Sequence, residues 1–257
     1  MSWQLYEYPH QRFGTNTVSS TIFLLDMKQA DVNGDGLLDT VFLYGNKPDG
    51  ASGIFADNIT LVIQDGYSHQ RTVVNLKDNA GYNARLFLGD FNKDRIADIL
   101  VNIDSGGSGG YISAYIYSFR DNNLRELFDT EAYNRQYKFN VNYEDYYKVS
   151  IGSPQLDVLF IIDISNKGAD YLSQYYNDNG KLKNPVQGEV LALGGLYPIV
   201  TDLQSMSYDL MALQRIIGTF NADILGYVEN LLTWDGTTFI SSRLMVSIPP
   251  TKLIALY

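Results

Sequence analysis

Asp31-Val32-Asn33-Gly34-Asp35-Gly36-Leu37-Leu38-Asp39 sets an acid or amide at its first, third, fifth and ninth positions, with glycine at the fourth and sixth. That spacing suits a hard cation. Calcium takes roughly six to eight oxygen ligands at about 2.4 Å, and a short loop supplies them only by curling round the ion. The side chains of Asp31, Asn33 and Asp35 then turn inward with the carbonyl of Leu37, and Asp39 supplies the last acid. Gly36 stands where the chain must turn sharply, which glycine does at no steric cost. An ordinary polar turn is also rich in Asn, Asp and Gly. Three carboxylates in so short a stretch, however, repel one another unless a cation lies among them. An EF-hand loop would end on a bidentate Glu at its twelfth position, between helices. Here that position is Phe42, inside the apolar run Thr40-Val41-Phe42-Leu43-Tyr44, so the loop leads into a strand.

The pattern restarts at Asp90-Phe91-Asn92-Lys93-Asp94-Arg95-Ile96-Ala97-Asp98. Asp90, Asn92, Asp94 and Asp98, with the Ile96 carbonyl, form a second candidate calcium set. Lys93 and Arg95 replace its two glycines, so cations near the ion and a strained backbone should lower its affinity. Two further stretches keep fewer ligands. Residues 163–170 carry Lys167 where a third ligand belongs, and residues 202–209 carry Gln204 and Met206 at ligand positions. Neither is expected to hold a metal.

Other chemistry is less well supported. Gly106-x-Ser108-x-Gly110 matches the spelling of a hydrolase nucleophile elbow, but a β-run follows it and no histidine lies beyond His69. A glycine-rich hairpin fits better. Glu126, Glu131, Glu144, Asp145 and Glu189 offer carboxylates for a glycoside hydrolase or lyase, without a spacing that pairs any two. Tyr143, Tyr146, Tyr147, Tyr175 and Tyr176 offer a platform for sugar rings, or ordinary strand packing. The expectation is a protein without catalysis, with a glycan-binding module as the alternative.

Composition bounds these readings. The chain has 257 residues, enough for one large all-β domain, and 45% hydrophobic content makes it globular. Its 20 tyrosines and 22 glycines, with only 19% charged residues, favour strands and tight turns over helices. A formal charge of −10 speaks against nucleic acid, whose phosphates need a basic face. No cysteine is present, and His10 and His69 alone make no histidine-rich zinc site. No apolar run reaches transmembrane length, so no membrane insertion is expected, and residues 1–9 do not read as a signal peptide.

The elements that must position the loops are strands. Alternation and apolar runs bounded by turn residues mark them at 3–8, 21–27, 40–44, 58–64, 71–76, 84–89, 99–103, 111–119 and 124–128. More follow at 137–143, 147–151, 156–164, 189–193, 197–200, 210–217, 226–234 and 239–248, with a helical turn or two at 169–176. Asp65-Gly66 is a hairpin signal, and Pro249-Pro250 ends the last strand. A recurring acidic loop between strands points to stacked or radial units within a single domain spanning 1–257.

The two acidic loops between hydrophobic strands resemble FG-GAP repeats, also called VCBS or integrin-α-like repeats. Tyr176-Asn177-Asp178-Asn179-Gly180-Lys181-Leu182 and Gln214-Arg215-Ile216-Ile217-Gly218 are similar to VCBS-repeat proteins of spore-forming Gram-positive bacteria. The resemblance implies a β-propeller of four-stranded blades, with a structural calcium ion in the loop joining the first two strands of a blade. The strand count gives four to five blades, with five expected, and a pair of sandwiched sheets as the alternative. The resemblance also implies an extracellular, cell-surface or spore-surface place, a role in adhesion or envelope assembly, and a protein or glycan partner.

Overall fold

The computed structural model describes residues 22–249, and the strand expected at 3–8 lies outside them. The described residues are all-β, in two antiparallel sheets of eight and seven strands. The first sheet begins as a meander of β1 (Ile22–Ala30), β2 (Asp39–Asn46), β3 (Phe55–Gln64) and β4 (Arg71–Asn75). A second meander follows in β5 (Gly81–Gly89), β6 (Asp98–Gly106), β7 (Tyr111–Ser118) and β8 (Arg125–Asp129). In the strand ladder the pairs Phe55 with Tyr82 and Ala56 with Gly81 stitch the two together, and the Leu86 amide donates to Asp26 across the same seam. Each meander carries its acidic loop between its first and second strands.

The second sheet contains β9 (Asn140–Glu144), β10 (Lys148–Ser153), β11 (Val158–Asp163), β12 (Gln187–Ile199), β13 (Asp209–Ile217), β14 (Ile224–Trp234) and β15 (Phe239–Ser247). Its spatial order is β11-β10-β9-β12-β13-β14-β15, so β12 pairs with β9 on one side and β13 on the other. Two short helices interrupt the strands, α1 (Thr130–Gln136) and α2 (Ala169–Tyr175). Among the described residues these strands join as two sheets, without division into five four-stranded blades.

Packing explains the pattern. In β2, Val41 and Leu43 point into a core shared with Ile59, Leu61 and Ile63 of β3, while alternate residues stay half-buried. β6 is buried on both faces. Its Ile99, Val101 and Ile103 join that core. Leu100, with Ile112, Ala114 and Ile116 of β7, packs against Leu193, Leu210 and Ala212 of the second sheet. A strand covered on both sides reads as a continuous apolar run, as Ile99-Leu100-Val101 does. The third core, under β9, β10 and β13, takes in Tyr143 and Tyr176.

Two expectations need correction. The runs at 189–193 and 197–200 form one strand, β12, whose register shifts between Val190 and Leu193 and again before Gly195. Bulges of this kind let one strand bend without ending it. The helix α1 was not expected. Asp129 caps it, accepting a hydrogen bond from the Ala132 amide at 2.8 Å.

Candidate functional site: two acidic loops on one rim

Loop 1 (residues 31–39) is held open by its own acids. Asp31 accepts the Gly34 and Gly36 amides at 2.6 and 2.9 Å, Asn33 Oδ1 accepts the Asp35 amide, and Asp35 Oδ1 accepts the Leu37 amide. Gly34 and Gly36 take φ of +87° and +86°, a region closed to most side chains. Asp39 is fully buried and spends both oxygens on three amides, those of Val32, Asn33 and Gly66. The ninth position thus ties the loop to the β3–β4 turn. Gly66 must be glycine there, since a Cβ would collide with the Leu38 carbonyl.

Loop 2 (residues 90–98) repeats the scheme. Asp90 accepts the Asp94 and Arg95 amides, Asn92 Oδ1 the Asp94 amide, and Asp94 Oδ1 the Ile96 amide. Asp98, nearly fully buried, accepts the Phe91 and Asn92 amides at 2.9 and 3.1 Å. Burial pushes its carboxyl up to about 7, helped by the Asp94 and Asp90 charges and opposed by those amide bonds. Lys93 and Arg95 hold φ of +64° and +70°, copying the backbone of Gly34 and Gly36.

The structure brings the two loops together. The Ala97 amide donates to the Asp31 carbonyl at 3.3 Å, and Gly34 lies against the Ile96 side chain. The same link recurs one step on, where the Tyr208 amide donates to the Asp90 carbonyl at 2.8 Å. This makes residues 201–209 the third loop of the row. In that register Thr201 takes the place of Asp31 and Asp90, and Asp209 that of Asp39 and Asp98. The sequence alignment that began this loop at Asp202 is therefore one residue late. Thr201 donates its hydroxyl to Asp209, which closes the turn without a metal-ligating set.

The charges around the loops differ. In loop 2, Arg120 reaches Asp94 Oδ2 at 3.4 Å, and Lys93 reaches Asp209 of the third loop at 3.5 Å. Among the described residues no lysine or arginine forms an ion pair with Asp31, Asp35 or Asp39. Loop 1 gathers oxygen instead. The Asn33 side-chain amide faces Asp65 at 2.7 Å, with Asp35 and Asn122 each at 3.4 Å. Asp65 is buried, and hydrogen bonds from Ser68 and Asn33 hold its carboxyl below the usual range. Reasoning from sequence did not reach Asp65 or Asn122, which lie outside the loop. Asp31, Asn33, Asp35 and the Leu37 carbonyl are oxygen donors, the type a hard divalent cation takes. Among the described residues, no group of three or more His, Cys, Asp or Glu side chains is gathered in the manner of metal ligands.

The remaining candidates sit elsewhere. Ser108 lies in the β6–β7 hairpin, where Arg215 donates to the Ser108 and Gly109 carbonyls and fastens the turn to β13. Glu131 is paired with Arg135, Asp145 with Lys181, and Glu144 with the Ser150 hydroxyl. Tyr143 and Tyr176 are buried in the third core, with Tyr147 and Tyr175 packed beside them. Only Tyr146 of those five is well exposed, with Lys181 over its ring. No helix among the described residues is long and apolar enough to cross a membrane.

Comparison with known proteins places the chain beside a described family and a curated relative. Residues 137–247, spanning β9 to β15, match the family described as the YybI C-terminal domain. YybI of Bacillus subtilis (strain 168) is 43% identical over 231 residues, covering 90% of this chain and 87% of that protein. No solved structure matches.

Proposed function

The chain belongs to the YybI family, and we propose that it is a non-catalytic binding or scaffolding module stabilised by calcium in loop 1. The observation that carries this reading is a charge imbalance. Loop 1 crowds Asp31, Asp35 and buried Asp39 into one turn, and among the described residues no cation of the protein pairs with them. Loop 2 has Arg120 on its equivalent of Asp35. Asp31, Asn33, Asp35 and the Leu37 carbonyl would hold the ion, while Asp39 fixes the loop through its three amides. A bound divalent cation supplies the missing positive charge, and its binding energy adds to the stability of the fold. Loop 2 would hold the same ion more weakly.

In this reading β1–β4 and β5–β8 are two blades of propeller type, each with an acidic loop between its first two strands. The setting that suits such loops has millimolar free calcium, outside the cell or on a cell or spore surface, with a protein or glycan as partner. The test is a thermal melt in excess EDTA and again in millimolar Ca²⁺, with Asp35→Ala alongside. At about a hundred times Kd the ion adds about 2.7 kcal/mol, a rise of several degrees for a chain of this size. The rise should vanish in Asp35→Ala. Identical melts in both buffers would sink the proposal.

A further inference from the structure

Loop 2 keeps a lysine and an arginine where loop 1 has glycine, and for the backbone this choice is unfavourable. Lys93 and Arg95 sit at φ +64° and +70°, where an L side chain crowds the neighbouring carbonyl. Such strain persists where surrounding structure fixes it, and it collects at functional sites. Both side chains line a cleft of about 830 Å³ between loop 2 and the third loop.

The acids of that cleft are largely engaged. Asp90 gives its two oxygens to the amides of loop 2, and Asp209 accepts the Thr201 hydroxyl while facing the Lys93 ammonium at 3.5 Å. Asp202, at the rim, accepts the Gln204 amide. The Arg95 guanidinium is exposed, and among the described residues it has neither an ion pair nor a side-chain hydrogen bond. Ser205 and Ser207 line the opposite wall, with the Ser205 hydroxyl donating to the Asp202 carbonyl and the Ser207 hydroxyl to Ser205.

We infer that this cleft binds an oxyanion, a phosphate or carboxylate group on a small ligand, with Arg95 as the main contact and Lys93 as the second. A planar guanidinium matches such a group with two parallel N–H donors, and Asp209 keeps the Lys93 ammonium nearby. The chain's net charge of −10 gives no long-range attraction, so the contact must be short-range and selective. This site is separate from loop 1 and does not depend on a metal there.

A loop that had merely lost its glycines would make a different prediction, which gives a clean test. Arg95→Gly restores the residue that loop 1 already uses, so the variant keeps the fold. Titration of the full chain with inorganic phosphate, in buffer free of divalent cations, should give saturable NMR shifts confined to residues 90–97 and 201–209. Arg95→Gly should weaken that binding about tenfold or more, and Lys93→Gly by a smaller factor. Glucuronate run in parallel separates the two sources, since a carboxylate ligand predicts tighter binding of glucuronate and a phosphorylated ligand the reverse. No saturable shift with either probe, or binding unchanged in Arg95→Gly, would overturn the inference.

Discussion

Loops 1 and 2 fold alike and differ in chemistry. Both bend back on amides accepted by their first, third and fifth side chains, and both bury an acid at the ninth position. Yet one has glycine at its two left-handed positions, and the other has Lys93 and Arg95. Among the described residues, one leaves its acids without protein cations, while the other meets Asp94 with Arg120. The spacing of acids is therefore a folding device first, because carboxylates that accept loop amides shape the turn whether or not an ion is present. Ion binding is a second property. It depends on what else surrounds the oxygens.

The sharpest way to break the comparison is at the ninth position. Asp39→Ala would orphan three amides, two of them on the buried residues Val32 and Asn33, at a cost of about 3–5 kcal/mol. Asp98→Ala orphans the Phe91 and Asn92 backbone amides, leaves the Asn92 side-chain amide without its acceptor, and removes a carboxyl whose charge burial already disfavours, so about 1–3 kcal/mol is expected. Urea unfolding of the two variants measures both. Equal losses would mean that the link from Asp39 to Gly66 contributes nothing.

Calcium should separate the loops next. A calcium-dependent rise in melting temperature, about 3 kcal/mol at saturating ion, should survive Asp94→Ala and disappear in Asp35→Ala. The reverse result would move the ion to loop 2. Acidity gives a third contrast. The Asp98 carboxyl, at about 7 in the fold, lies above its unfolded value of about 4. The folded state then holds the proton more tightly. This contribution is complete below about pH 4 and is lost as pH rises through about 7. In Asp98→Asn the step is removed, so the variant should lose less stability than the parent between about pH 4.5 and about pH 7.5. The difference should be on the order of 2 kcal/mol. Parallel pH profiles would refute the assignment.

Much of this was legible in the sequence, because strands and short loops are local. The run Thr40-Val41-Phe42-Leu43-Tyr44 forms the heart of β2, and Ile99 to Ile103 lies within β6. Less was legible wherever distant segments meet. Asp65 and Asn122 reach Asn33 from 32 and 89 residues away, and no spacing rule connects them. The third loop was misaligned because Thr201 carries no carboxylate, and only the amide link from Tyr208 to Asp90 reveals its register. The capping signal for α1 is present in Asp129, but a seven-residue helix between two strands carries too few turns for an apolar periodicity to mark it. The tyrosines follow the packing that their residue type favours. Their β propensity reflects packing, and most of those singled out are packed.

The smallest expected effect tests the backbone alone. Arg95→Gly relieves a left-handed arginine that, among the described residues, makes no side-chain bond, so it should stabilise the chain by about 0.5–1 kcal/mol. Gly36→Arg in loop 1 should cost a similar amount, since nothing lies within 4 Å of a Cβ built there and only the backbone resists. Gly34→Ala should cost more, because its Cβ would stand 2.6 Å from the Ile96 side chain as well as in a strained φ. Lys93→Gly gains the same relief but removes the ammonium facing buried Asp209 Oδ1, so a net loss of about 1–2 kcal/mol is expected. Denaturant midpoints should place Arg95→Gly highest and Gly34→Ala below Gly36→Arg. If Arg95→Gly instead destabilised the fold, the arginine would be holding the rim in place, and the two loops would differ in structure as well as in charge.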